Sequence, residues 1–370
     1  MLDLVIKIGG SILTSAKDYI IAAERISNLI EESVRPFIIV SAARGVTDKL
    51  LKACHGDKVS LYEVKHVYQG IAGELNQQAI KILDDILDKL ERTLSNLTSC
   101  TKRLEDYIAS FGEIISKILM VYSLENLGVN VLPLNALDLV VADGVYGDSR
   151  IDYEITMLNL SKIVGYVSNV NAIPVMEGFI GRSWEGEVVT LGRGGSDYTA
   201  VTVATLLGIP EVHLLTDVPG IMSIDPTLSS KARIVKVLDY DEAIEASLYG
   251  VKRINPKTFE PITLGLGRPK VAIGTWDLKG TIIGDDVKGW RAVAKIVTLN
   301  PKDRSMVVVI GKGVSNKTFL LELLNLIGDD VILEIIASKS KPALVIKTYE
   351  GFSVKIAKLI HDELLVRGDG

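Results

Sequence analysis

The hexapeptide Gly192-Arg193-Gly194-Gly195-Ser196-Asp197 gathers three glycines, one arginine and one aspartate where an apolar, helix-like run begins. Glycine lets backbone N–H groups approach a ligand closely or adopt positive φ. Ser196 and Asp197 are residue types that cap helices, and a helix N-terminus attracts anions. Arginine in such a loop can grip a carboxylate or phosphate through two parallel hydrogen bonds. An ordinary strand-to-helix turn would explain the glycines and the cap but not Arg193, so the loop points to a small anionic ligand.

Three other stretches could serve the same chemistry. Lys7-Ile8-Gly9-Gly10-Ser11 ends the first apolar run. Two glycines after a strand can present N–H groups to a phosphate, and Lys7 adds a mobile positive charge. The spacing is not that of a Walker A loop. A lysine inside an apolar strand needs a partner, because burying its charge alone is costly. Thr216-Asp217-Val218-Pro219-Gly220-Ile221 closes another strand, where open α/β sheets bind ligands, but it reads equally as an ordinary turn. In Gly250-Val251-Lys252-Arg253-Ile254-Asn255-Pro256, Gly250 could simply end a helix, and Lys252 and Arg253 could be solvated. The four histidines, His55, His66, His213 and His361, lie outside these motifs and read as structural or surface residues.

The elements that must position these residues follow from periodicity. Short, nearly continuous apolar runs suit strands buried on both faces: Leu2–Ile8, Pro36–Ser41, Val129–Pro133, Ile173–Glu177, Val212–Thr216 and Lys270–Ile273. Helical patterns alternate with them at Ala22–Ser33, Thr47–Cys54, Ser60–Asn96, Thr101–Leu127, Asn159–Ser168, Ser196–Leu207 and Asp241–Gly250. This alternation predicts an α/β fold with a largely parallel sheet flanked by helices. The block from Leu61 to Leu127 exceeds one crossover and predicts a helical hairpin or small subdomain. A hairpin through Ser183–Gly186 should lead into the glycine loop. A change falls near Gly280–Arg291, after which strands Val293–Leu299 and Ser305–Ile310 precede a helix at Ser315–Ile327. Strands Val331–Ala337 and Ala343–Thr348 and a closing helix at Phe352–Val366 complete a small ferredoxin-like α+β unit.

The 370 residues leave room for two domains or three, and 48% hydrophobic with 24% charged residues is ordinary for a globular chain. A net charge of −5 argues against nucleic acid or an anionic membrane as the main partner. Cys54 and Cys100 have no metal-ligand spacing and suggest no disulfide framework. The chain opens on an apolar strand with no basic segment before it, and no uninterrupted apolar run is long enough for a membrane span. A cytoplasmic location is expected.

Together the motifs resemble those of the amino acid kinase family and, within it, the aspartate kinases. Lys7–Ser11 looks like the family's first-strand K-F-G-G-T, and Val40–Asp48 its V-S-A-x-x-G-V-T-[DN]. Phe111-Gly112-Glu113 carries its G-E, and Thr190–Ala200 is close to T-L-G-R-G-G-S-D-x-T-A. Thr216–Pro226 resembles T-D-V-x-G-I-[YM]-x-x-D-P, and Gly250–Pro256 resembles G-A-K-V-[LM]-H-P. The matches run in the family's order over residues 1–284.

The resemblance implies ATP-dependent phosphorylation of the L-aspartate β-carboxylate to an acyl phosphate, the first step toward lysine, threonine and methionine. By this likeness Lys7 neutralises the transferring phosphoryl group, and Asp197 holds that lysine. Gly9, Gly10, Ser11, Gly194 and Gly195 contact phosphates. Arg193 grips a substrate carboxylate, Glu113 accepts from the α-ammonium, and Ser41 and Thr47 line the acceptor site. Thr216, Asp217, Met222 and Lys252 surround the nucleotide, with Mg²⁺ carried mainly on ATP oxygens and water. A carboxylate acceptor is already ionised at neutral pH and needs no general base.

Some positions depart from the pattern. Ile12 replaces a serine, Ser11 a threonine, Met222 a frequent tyrosine, Thr227 a frequent arginine and Asn255 a histidine. Arg44 stands where a small residue is usual, adding a cation near the acceptor pocket. A related kinase acting on another small acceptor such as homoserine, or a catalytically silent amino-acid or nucleotide sensor, are the competing readings. Residues 1–284 are expected to form the kinase domain and 285–370 an ACT-like regulatory or dimerisation domain. In that region Ser305–Leu365 looks like one ACT module and Val293–Leu299 like a remnant strand of another. An effector site and a merely stabilising module read as equally open, and a homo-oligomer, a dimer, is expected.

Overall fold

Strand β1 (Leu4–Ile8) has only Lys7 short of full burial, so one charged side chain stands within an otherwise apolar strand. A computed structural model describes residues 2–277, 280–285, 293–328, 331–338, 340–349 and 351–365. Residues 286–291 of the expected change near Gly280–Arg291, and Val366 at the end of the expected closing helix, fall outside these residues.

Along the chain β1 is followed by α1 (Ala16–Glu31), β2 (Pro36–Val40), α2 (Val46–Cys54), α3 (Lys58–Leu75), α4 (Gln77–Ser95) and α5 (Lys102–Glu125). Next come β3 (Val131–Pro133), α6 (Ala136–Leu139), β4 (Val141–Ala142), α7 (Tyr153–Val170) and β5 (Ile173–Glu177). The hairpin β6 (Ile180–Ser183) and β7 (Val188–Thr190) then leads into α8 (Gly195–Leu207) and β8 (Glu211–Leu215). After these run β9 (Val237–Leu238), α9 (Tyr240–Leu248), α10 (Glu260–Thr263), β10 (Lys270–Gly274) and β11 (Thr281–Ile283). The last elements are β12 (Ile296–Leu299), β13 (Met306–Ile310), α11 (Lys317–Ile327), β14 (Ile332–Ala337), β15 (Ala343–Thr348) and α12 (Ser353–Ile360).

The chain packs as two units, residues 1–217 with 260–269, and 218–259 with 270–370. In the first, strands β3, β5, β2, β1 and β8 lie side by side in that order and each neighbouring pair is parallel. The register sets Lys7 beside Ile39 on one neighbour and Leu214 on the other. The expected strands of this unit are all present, with their ends shifted by up to two residues.

Helix ends depart further from the sequence expectation, for local reasons. α1 starts six residues early because Asp18 accepts from the Thr14 and Ser15 amides at 2.8 and 3.0 Å, a polar N-terminal cap outside the apolar pattern. The single block Ser60–Asn96 is two helices. Asn76 is extended and accepts from the Ala79 amide at 2.7 Å, so it ends α3 and starts α4. By length and composition α5 could cross a membrane, but 72% of its most apolar window is buried within the unit. It is the central core helix.

The cysteine expectation is overturned. Cys54, ending α2, and Cys100, preceding α5, are joined in a disulfide across the base of the α3–α4 hairpin. Two cysteines 46 residues apart give no pairing signal in sequence; the packing of α2 against α5 brings them together.

In the second unit, β10 pairs antiparallel with β11, which pairs parallel with β9. A four-stranded antiparallel sheet has the order β12-β13-β15-β14 and carries α11 and α12. Val307, Val309, Leu344 and Ile346 of this sheet form a core with Phe319, Leu323, Ile356 and Ile360. β12, expected as a remnant strand of another module, lies in this sheet. It pairs with β13 and supplies the fourth strand that a β-α-β-β-α core lacks. Glu242 of α9 and Lys295 form a buried ion pair at 2.6 Å. His361, fully buried, shares a 2.8 Å hydrogen bond with Ser223 Oγ, as its reading as a structural residue expects.

Candidate active site

Lys7 Nζ lies 2.7 Å from Asp197 Oδ1, which joins the end of β1 to the first turn of α8. The strand lysine thus has the partner its burial demands. Helix α8 starts at Gly195, and Gly194, at φ 73°, occupies the cap position with no side-chain cap bond. The expected capping by Ser196 or Asp197 is absent because Asp197 already lies inside the helix, with its carboxylate on Lys7. A Cβ at Gly192, where φ is 78°, would collide with the Asp148 carboxylate, so this turn requires glycine.

Lys7, Thr47, Glu113, Phe179, Arg193 and Asp197, with Gly192, Gly194, Gly195 and Ser196, line one cavity of about 220 Å³. Arg193 is exposed and makes no ion pair among the described residues. Glu113 is buried, and its Oε2 has no hydrogen-bond partner among the described residues. Burial pushes its carboxyl well above the usual range, against the pull of the Ala42 amide and Lys7. A buried oxygen left unsatisfied at a cavity wall is a place for a donor from a ligand.

A second cavity of about 260 Å³ is lined by Gly10, Ser11, the loop Ser41–Gly45, Thr47, Asp48 and Glu113. Thr47 and Glu113 face both cavities. Beside it, Ser11 Oγ and Thr216 Oγ1 lie 3.4 Å apart, and the Asp217 amide donates to Ser11 Oγ at 3.3 Å. Two expected phosphate donors are already engaged: the Gly9 amide donates to Leu215 O and the Gly195 amide to Gly192 O. These glycines make room more than they supply N–H groups. A Cβ on Gly10 would strike the Ala42 carbonyl. Met222 and Lys252 belong to the second unit, where both line a cavity of about 610 Å³, and Lys252 pairs with Asp225 at 2.7 Å.

Several residues that hold this arrangement escaped sequence reasoning. Buried Asp106 accepts from the Gly147 amide, the Thr190 amide and Thr190 Oγ1 at 2.9, 2.8 and 2.7 Å, fixing β7 as it enters the glycine loop. It lies seven residues before Glu113, on the same face of α5, and that pair of acids on an apolar helix was the available signal. Tyr68 of α3 accepts from the Ala43 amide at 3.2 Å and donates to Gly112 O at 2.8 Å, fastening the Ser41–Gly45 loop to α5. Phe179 lines the first cavity with φ at 67°, a strained value for a bulky side chain that no sequence pattern announces.

Comparison with known proteins places these features in a lineage. Aspartokinase 3, chloroplastic, of Arabidopsis thaliana is 32% identical over 71% of this chain and 49% of its own length. Lysine-sensitive aspartokinase 3 of Escherichia coli is 27% identical over 70% of this chain and 58% of its own. The chain spans about half the length of the plant relatives it matches. Among solved structures, E. coli aspartokinase III in complex with aspartate and ADP superposes with a TM-score of 0.84, covering 98% of this chain and 100% of that one. At 18% identity that likeness speaks for the fold. The model of the amino acid kinase family matches residues 4–273, which include Lys7, Glu113, Arg193 and Asp197, and the chain belongs to that family.

Proposed function

We propose that this chain is an ATP-dependent phosphotransferase that phosphorylates the β-carboxylate of L-aspartate. The observation that carries this reading is one cavity holding an ion-paired lysine together with an arginine and a buried glutamate oxygen that have no partner among the described residues. Those three groups complement an amino acid with a second carboxylate that meets a phosphoryl donor. Glu113 accepts the α-ammonium, Arg193 grips a carboxylate of the acceptor, and Ser41 and Thr47 complete its pocket. Its side-chain carboxylate, ionised at neutral pH, attacks the terminal phosphorus of ATP as the bond to the ADP oxygen breaks. Lys7 meets the negative charge on the moving phosphoryl group, and Asp197 keeps the ammonium aimed. Gly9, Gly10, Ser11, Gly194 and Gly195 shape the phosphate passage, and Thr216 and Asp217 border the nucleotide. Met222 and Lys252 are proposed as further nucleotide residues.

The carboxylates near the phosphate passage are paired with cations, Asp197 with Lys7 and Asp217 with Arg44. That fits Mg²⁺ arriving on nucleotide oxygens and water better than a cage of protein carboxylates. We assign residues 1–284 to the kinase domain and 285–370 to an ACT-like domain, and we propose a homodimer.

The test is ADP release and hydroxylamine trapping of the acyl phosphate, with aspartate or homoserine as acceptor. Aspartate should give both signals and homoserine neither. In Lys7→Ala, turnover should fall by roughly 10²–10³-fold, as for loss of one transition-state donor. Phosphorylation of homoserine in preference to aspartate, or full activity in Lys7→Ala, would overturn the reading.

A further inference from the structure

Arg44 stands in the turn between β2 and α2 and lines the cavity that contains Ser41 and Thr47. Its Nη2 donates to the Ser11 carbonyl at 2.8 Å and to Asp217 Oδ2 at 2.6 Å. Thr216 Oγ1 in turn donates to Asp217 Oδ1 at 3.2 Å, and the Asp217 amide donates to Ser11 Oγ at 3.3 Å. One guanidinium therefore bridges three segments at the ends of adjacent parallel strands: the turn after β1, the loop after β2 and the Thr216-Asp217 step after β8. Among the described residues both bonds use the same nitrogen, so Nε and Nη1 keep their protons for an acceptor on a ligand.

We infer that Arg44 is a positioning residue for phosphoryl transfer that also binds phosphate. It fastens the acceptor loop to the nucleotide turn and offers its unused N–H groups to the phosphate oxygens of a bound nucleotide. The inference rests on the phosphotransfer reading above. Three observations support it. The bridge lies against the Gly10–Ser11 turn, where a phosphate would pass. Arg44 and Asp217 are 55% and 34% exposed, so water screens their pair and leaves the guanidinium charge only partly neutralised. The guanidinium therefore keeps attraction for a nucleotide phosphate while its bonds to Ser11 and Asp217 stay in place. Finally, a guanidinium presents a planar fork that matches phosphate oxygens, which the single ammonium of Lys7 cannot do.

The test compares binding of ADP with Mg²⁺ and of adenosine to the full chain and to Arg44→Ala and Arg44→Lys, by competition against a fluorescent nucleotide. Arg44→Ala should weaken ADP by about tenfold, the usual cost of losing a charged hydrogen bond, while adenosine binding holds. Arg44→Lys should fall between, since it keeps the charge and loses the fork. A residue that only propped up the loop would weaken adenosine and ADP alike. An unchanged ADP-to-adenosine affinity ratio in Arg44→Ala, with ADP still bound by the unaltered chain, overturns the role of Arg44 alone. If the unaltered chain binds no ADP, the kinase reading falls and this inference with it.

Discussion

Glu113 holds a carboxyl oxygen in the protein interior with nothing among the described residues to accept from, and burial keeps that carboxyl protonated to higher pH than usual. An α-ammonium binds best to the ionised form. Lowering the pH through the raised titration of Glu113 should therefore raise KM for aspartate, because more of the free protein carries a proton where the ammonium must bind. KM for ATP should respond much less, since Glu113 touches no phosphate in this reading. Glu113→Gln should raise KM for aspartate by about tenfold or more and flatten its pH profile. Initial-rate measurements across pH for both proteins check this, and a pH dependence that survives in Glu113→Gln would remove Glu113 from the acceptor site.

At the scale of elements, the helical block is part of the site's scaffold. α5 carries Glu113 to the cavity and, through Asp106, clamps the strand that feeds the glycine loop. α3 reaches the acceptor loop through Tyr68. The Cys54–Cys100 disulfide closes the α3–α4 hairpin at its base. For a separation of 46 residues the chain-entropy model gives a stabilisation of about 4 kcal/mol. Reduction, or Cys54→Ser, should accordingly lower the denaturant midpoint and steepen the slope, because the uncrosslinked unfolded chain exposes more surface. Equilibrium unfolding with and without a thiol reductant measures this, and coincident curves would show that the bridge contributes nothing to stability.

For the molecule as a whole, the proposed homodimer has a candidate surface in the second unit. β14 is an edge strand of the four-stranded sheet, and its Leu333 and Ile336 are about half exposed. An unpaired edge with exposed apolar side chains is a ready surface for a second copy of the chain. Ile336→Lys should raise the dimer dissociation constant by about tenfold or more, as expected when a charge replaces an apolar contact. Sedimentation equilibrium reads this directly. Because the position is exposed, the fold should persist, and an unchanged dimer would move the interface elsewhere.

The sequence by itself determined the parallel α/β core, its strands to within two residues, and the residues that gather around Lys7 and Asp197. Buried strands and phosphate-type turns are local: continuous apolar runs, glycine pairs and a charged residue inside an apolar strand are written in neighbouring letters. The ferredoxin-like unit was legible for the same reason, except that β12 as its fourth strand depends on pairing between distant segments. Tertiary structure alone decided where the side chains spend their bonds. It bore out the pairing of Asp197 with Lys7 that the family likeness implied, left capping to Gly194, and used the amides of Gly9 and Gly195 inside the fold. It joined Cys54 to Cys100, and it set Arg44 between Ser11 and Asp217. These are contacts between residues far apart in sequence, fixed by how strands and helices pack, and no local pattern encodes them.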